Sequence, residues 1–202
     1  MHEPSDEQLL ADHQHGVAGA FDALVRRHVN ELYGFLARFV GNATAADDIV
    51  QDTFVQVHLA AATFDPGRSF RPWLYTIAAN KARDHLRSRG RRQELSLDSG
   101  GGDEDAPGAG QYVESDDASH TDAVLEREQK ETVRALVDRM PEHFRTILLL
   151  GYFQQLPYAE IAEVLDIPVG TVKSRLHAAV NYFADLWRRH TGSTQTVNHD
   201  DA

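Results

Sequence analysis

The chain has 202 residues, no cysteine, eleven histidines and a formal charge of −11. That length accommodates one domain or two small ones, and the absence of cysteine excludes a disulfide framework, a thiolate metal site and a thiol nucleophile. Uninterrupted apolar runs of about 18 residues are missing, and the opening stretch MHEPSDEQLLADHQHG has neither the basic start nor the apolar core of a secretory signal, so the expectation is a cytoplasmic protein without membrane insertion.

Charge is segregated along the chain. Nine acidic residues and no Lys or Arg lie between positions 93 and 122 and account for most of the net charge, whereas positions 81–92 set six Lys and Arg against Asp84 alone. An acidic total argues against nucleic acid, since duplex binding rests on phosphate neutralisation, but a basic segment inside an acidic chain reverses that inference.

In chain order, SDEQ at 5–8 fits a capping box for a short helix carrying Leu9 and Leu10. The next helix, about 17–40, places Phe21, Leu24, Val25, His28, Leu32, Phe35, Leu36 and Phe39 at three- and four-residue spacings, one buried face. A third helix is predicted over about 45–62, FDPGRS forms a turn, and a fourth helix carries FRPWLYTIAANKARDHLRSR into the acidic segment. That segment includes SGGGDEDAPGAG and too few large apolar residues to offset the entropy of ordering, which predicts a flexible linker over 93–121. Beyond it come a helix over about 122–139 and three more that start near Pro141, Pro157 and Pro168, proline suiting a first turn. Residues 191–202 read as a disordered tail. No strand-like alternation is present, so the fold class is all-α: two small helical domains, 1–92 and 122–190, joined by a flexible acidic linker.

YAEIAEVLDIPVGTVKSRL has the layout of a helix-turn-helix, whose second helix lies in the major groove with its early residues toward the bases. Ala162 is small where the helices approach, and Ile161, Leu165, Ile167, Val172 and Leu176 supply an apolar seam. Asp166 stands where the turn requires a left-handed backbone, which Asp tolerates better than most residues. At 100° per residue from Thr171, Val172, Leu176, Ala179, Phe183 and Leu186 fall within about 60° to 140° of arc, and Lys173, Ser174, His177, Ala178 and Asn181 fall roughly opposite, flanked by Thr171 and Arg175. Small residues at the tip with cations behind them suit close approach to phosphates and base edges.

On the helix from Phe70, residues Phe70, Leu74, Ile77 and Ala78 share one face and Asn80, Arg83, Asp84 and Arg87 the other, with Trp73 within about 20° of Asn80. An aromatic beside Asn and Arg fits single-strand binding by stacking and neutralisation. The competing reading packs Trp73 sideways against the preceding helix.

Four blocks, AFDALVRRH (20–28), ADDIVQDTFVQVH (46–58), FRPWLYTIAANKARDHLR (70–87) and LPYAEIAEVLDIPVGTVKSRLHAA (156–179), in this order around the linker, resemble the extracytoplasmic-function (ECF) sigma factors of bacterial RNA polymerase, of the sigma-70 family. The resemblance implies a factor that binds core polymerase, recognises the minus-thirty-five and minus-ten promoter elements, and opens DNA. It implies that Asp47, Asp48, Gln51, Asp52 and Phe54 dock on the polymerase, that Trp73, Asn80, Lys81, Arg83 and Arg87 face the minus-ten element with the loop 64–69 capturing a flipped base, and that Thr171, Lys173, Ser174, Arg175, His177 and Ala178 read the minus-thirty-five element. The acidic stretch 103–117 would thread toward the polymerase active-site cleft. An anti-sigma protein is a further partner that such a chain admits, and the free chain is expected to be a monomer.

Two other functional classes compete with this one. A stand-alone helix-turn-helix regulator would bind a palindromic duplex as a dimer, but it leaves the Phe70 to Arg87 face and the basic run after it unexplained. An enzyme is disfavoured: His13 and His15 lie on opposite sides of a helix with no third metal ligand in view, and no phosphate loop or nucleophile motif occurs, so neither metal nor cofactor is expected.

Overall fold

The computed structural model describes residues 3–98 and 120–197, with side chains over 3–91 and 129–192. Among these the secondary structure is helical throughout: α1 (Asp6–Gln14), α2 (Ala20–Val40), α3 (Ala43–Ala60) closed by a 3₁₀ turn (Ala61–Thr63), and α4 (Phe70–Asp98) precede α5 (His120–Asp138), α6 (Glu142–Leu148), a π-helical turn (Leu149–Phe153), α7 (Tyr158–Leu165) and α8 (Val169–Val197). The predicted linker falls on residues of which most lie outside the described set. Its ends do not match the expectation, because α4 continues through Asp98 and α5 begins at His120. Helix α8 likewise runs to Val197 instead of ending before Thr191.

Local chemistry explains the boundaries. The predicted capping box at α1 forms: the Gln8 N–H donates to Ser5 Oγ at 3.2 Å and the Ser5 N–H to Gln8 Oε1 at 2.9 Å. Helix α2 begins at Ala20, later than predicted, because Gly16 and Gly19 both take left-handed angles (φ 77° and 82°) that break the helical path. Asn42 caps α3, accepting from the Ala45 N–H at 2.9 Å.

Helices α1 to α4 bury a common core, in which Leu24, His28, Leu32, Phe35, Leu36 and Phe39 of α2 are all inward, as the periodicity predicts. His28 is the polar member, and its Nε2 meets Asp6 Oδ2 at 2.8 Å. Arg27 clamps the same carboxylate at 2.5 Å. Glu7 reaches the start of α4, accepting from the Phe70 N–H at 2.9 Å, so α1 caps the N-terminus of the helix that carries the basic segment.

Burial works to raise both carboxyl pKa values. The hydrogen bonds from His28 and Arg27 to Asp6, and from the Phe70 N–H to Glu7, outweigh it and hold both below their ordinary range. Groups depressed in the folded state contribute stability that is present at neutral pH and lost as pH falls through their folded pKa values, beneath the ordinary carboxylate range. We therefore expect Asp6→Asn/Glu7→Gln to be less stable than the parent at pH 7 by ~1–2 kcal/mol and the gap between the two melting temperatures to narrow progressively as pH falls into the acid range; a gap that stayed constant with falling pH would refute the assignment.

In the second unit α6, the π turn, α7 and α8 enclose Ile147, Leu149, Leu150, Ile161, Val172 and Ala179. Buried residues of both units form one contiguous cluster, and α4 packs along α7.

Candidate nucleic-acid and polymerase interface

The helix-turn-helix is built as its sequence dictates. Helix α7 ends at Leu165, and Asp166 takes the left-handed conformation (φ 51°) that the turn requires. The Ile167 N–H then returns to the Ala162 carbonyl at 3.0 Å, satisfying a carbonyl the helix end would orphan. Ile161, Ala162, Val172 and Leu176 are buried, and Leu165 and Ile167 pack partly against them.

With the seam inward, the opposite side of α8 is open. Lys173, Ser174 and His177 are exposed, and Thr171, Arg175 and Ala178 are half-buried. Ser174 donates to the Thr171 carbonyl at 3.1 Å. The Asn181 side-chain amide lies 3.0 Å from His177 Nε2. Lys173 and His177 also border a cleft shared with Tyr152, Tyr158, Leu176 and Val180. The two tyrosines are exposed and were not singled out from sequence, because they lie on different elements with no common period.

In the first unit, Asn80 and Arg87 are exposed on α4, and Lys81 and Arg83 are half-buried. Arg83 donates to Asn80 Oδ1 at 2.9 Å and pairs with Glu142 of α6 at 3.3 Å. Trp73 is half-buried and leans on Phe64, 4.9 Å between ring centres, and on Phe70 at 5.9 Å. It therefore packs sideways, against the loop that precedes α4. That loop is a tight turn in which the Gly67 N–H donates to Asp65 Oδ1 at 2.9 Å and Asp65 to Ser69 are exposed.

Helix α3 presents Asp47, Asp48, Gln51 and Asp52 to solvent. Phe54 does not join them. It is buried among Val50, Val57 and Phe21 in the core, so the expectation that it forms part of a docking surface is corrected: residue 54 is in phase with the apolar stripe 46, 50, 57 and 61. The surface instead contains Val55 and Leu59, 57% and 69% exposed, in line with Asp48 and Asp52. Two apolar residues out of phase with the core stripe were the available signal. His13 meets His58 of α3 at 3.0 Å, while His15, the C-cap of α1, bonds to the Ala11 carbonyl at 2.7 Å.

Comparison with known proteins decides the family. Sigma-70 region 2 matches residues 24–92, which hold the α3 surface and the cationic side of α4, and sigma-70 region 4 matches residues 130–181, which hold the helix-turn-helix. The chain is 39% identical over 175 residues to the RNA polymerase sigma-H factor of Pseudomonas aeruginosa, covering 86% of this chain and 89% of that one. The chain belongs to the ECF sigma factors of the sigma-70 family. It is also 33% identical to the ECF sigma factor SigW of Bacillus subtilis, over 80% of this chain and 86% of that one. Among solved structures, CnrH in complex with the cytosolic domain of CnrY superposes with a TM-score of 0.67 at 26% identity, covering 92% of this chain and 99% of CnrH. The sigma factor RpoE of Bartonella quintana, solved with the anti-sigma factor NepR, shares the fold with a TM-score of 0.66 at 22% identity, over 85% of this chain and 98% of that one. This sigma factor therefore binds core RNA polymerase, recognises promoter DNA and directs transcription initiation. No helix among the described residues is long and apolar enough to cross a membrane.

Proposed function

We propose that the two matched regions divide promoter recognition residue by residue. Thr171, Lys173, Ser174, Arg175, His177 and Ala178 meet the minus-thirty-five element as duplex; Asn80, Lys81, Arg83 and Arg87 act on the minus-ten element, with Trp73 bracing the loop before them through Phe64; and Asp47, Asp48, Gln51 and Asp52, with Val55 and Leu59, dock on core polymerase. The observation that carries this reading is the open polar side of α8 beside a fully formed apolar seam, in a chain whose other unit carries a separate cationic helix. One chain then holds one reader for duplex and another for opened strand, as initiation needs.

In this reading positions 1–92 form the polymerase and minus-ten domain, 122–190 the minus-thirty-five domain, and 93–121 the tether. The factor works in the cytoplasm as a non-enzymatic subunit: its part is binding and strand opening, and the phosphodiester chemistry belongs to the polymerase. Free, it is a monomer. CnrH was solved with the cytosolic domain of a second protein, and the partly apolar surface at Val55 and Leu59 suits a comparable protein partner of the anti-sigma kind, competing with polymerase for the same side of α3.

Two variants of the assembled holoenzyme separate positioning from readout. Lys173→Ala is expected to weaken every promoter alike and to reduce the salt slope by about 1, because it removes a phosphate contact. His177→Ala is expected to relax preference at one minus-thirty-five position by about 5- to 100-fold, because it removes a base contact. Promoter-binding titrations against single-base variants check both, and undiminished discrimination by His177→Ala would remove it from the reading set.

A further inference from the structure

Tyr152 is 60% exposed on the π turn, and the turn itself puts it there. The residues from Ile147 to Leu150 are all buried, and helical spacing from Thr146, Leu149 and Leu150 would bring Phe153 onto the same face. The Gln154 N–H instead donates to the Leu149 carbonyl at 3.0 Å, five residues back. The extra residue in that turn carries Tyr152 and Phe153 outward. Gly151 sets the turn against the helix-turn-helix: a Cβ at this position would lie 3.4 Å from Leu176 and 3.6 Å from Ile161, so the turn rests in van der Waals contact on the apolar seam. Tyr152 is thereby held at a fixed place beside α8.

The cleft that Tyr152 borders is shared with Tyr158, Lys173 and His177. Its polar groups are two phenol hydroxyls, an ammonium and an imidazole, and among the described residues that line it there is no carboxylate, in a chain whose formal charge is −11. A phenol hydroxyl can donate and an ammonium can do nothing else, so the set suits oxygens that only accept. A phosphodiester offers such oxygens, with a charge that Lys173 matches. The cleft also opens onto the polar side of α8. When a recognition helix enters the major groove, the elements before it cross the sugar-phosphate backbone, and here those elements are α7 and the π turn.

We propose that Tyr152 is a positioning residue for duplex DNA: its hydroxyl donates to a backbone phosphate at the margin of the minus-thirty-five element, seated in the cleft between the π turn and α8 and shared with Lys173. The proposal rests on reading α8 as the minus-thirty-five helix. A phosphate contact fixes the register of α8 on the duplex and carries no base preference of its own. An aromatic ring has few rotatable bonds, so holding it against DNA costs little conformational entropy. Being uncharged, Tyr152 displaces no condensed counterion, whereas Lys173 does, and the two residues therefore leave different marks on the salt dependence of one site.

The test uses Tyr152→Phe, which keeps the ring and removes only the hydroxyl of an exposed side chain, so that melting should match the parent. Holoenzyme is titrated in the cold, where the DNA stays duplex, with a promoter that it has been shown to transcribe and with a set of copies that each carry one methylphosphonate in place of a phosphate around the minus-thirty-five element. The variant is expected to bind about tenfold more weakly, equally across single-base changes and with the salt slope of the parent, whereas Lys173→Ala lowers that slope by about 1. At one position the methylphosphonate should weaken the parent and leave Tyr152→Phe almost unaffected, which identifies the shared phosphate. Undiminished affinity, a loss confined to one base pair, or a loss that adds to that of every methylphosphonate would overturn the proposal. The underlying reading is separable: if Lys173→Ala and His177→Ala are also silent, α8 is not the minus-thirty-five helix, and if those two act while Tyr152→Phe is silent, only the role of Tyr152 is wrong.

Discussion

Phe35→Ala is expected to destabilise the protein by ~3–5 kcal/mol, the cost of emptying a well-packed aromatic site. Phe35 is fully buried on α2 and meets Phe39 at 5.6 Å and Tyr75 edge-on at 5.2 Å between ring centres. Its removal leaves a cavity where α2 packs on α4. Against a typical net stability of about 5–15 kcal/mol, such a loss is a large fraction of the whole. Because Tyr75 also bonds to Gln154, the damage should spread to the junction between the units. Chemical denaturation followed by helical circular dichroism measures it, and a loss below 1 kcal/mol would mean that this core is looser than its packing indicates.

The second large effect falls on binding and leaves folding intact. Asp48→Lys/Asp52→Lys is expected to weaken assembly with core polymerase by about 100-fold or more, since opposing like charges at an interface costs several kcal/mol. Both residues are exposed, so melting should be close to that of the parent. Competition for core polymerase against unmodified protein reads the effect. Undiminished assembly would dissociate the α3 surface from docking and leave Val55 and Leu59 without a role.

Much of this was legible in the residues. The α2 stripe gives its own buried side, α7 has the predicted limits, and Asp166 takes the left-handed turn that the helix-turn-helix requires. Legibility fails where composition competes with local propensity. The stretch QELSLD at 93–98 belongs to an acidic, weakly apolar segment, yet no helix breaker occurs before Gly100, and α4 accordingly runs on to Asp98. Phe54 illustrates a different failure: a residue placed on a surface because its block resembles a docking segment is drawn inward by its phase with Val50 and Val57. For Trp73 the periodicity allowed either stacking on bases or packing sideways, and only the proximity of Phe64 across the loop favours the second. The contact between units was not readable at all. Tyr75 and Gln154 are far apart in sequence, and nothing in LLLGYFQQLP signals a π turn followed by a glutamine at positive φ.

The most direct test of the account is to mix the purified chain with core bacterial RNA polymerase, resolve the mixture on a sizing column, and assay run-off transcription from a set of upstream fragments. The account predicts a stable complex and initiation confined to a subset of fragments that share two spaced elements. A chain that stayed off core polymerase and instead bound palindromic duplex as a dimer would contradict it.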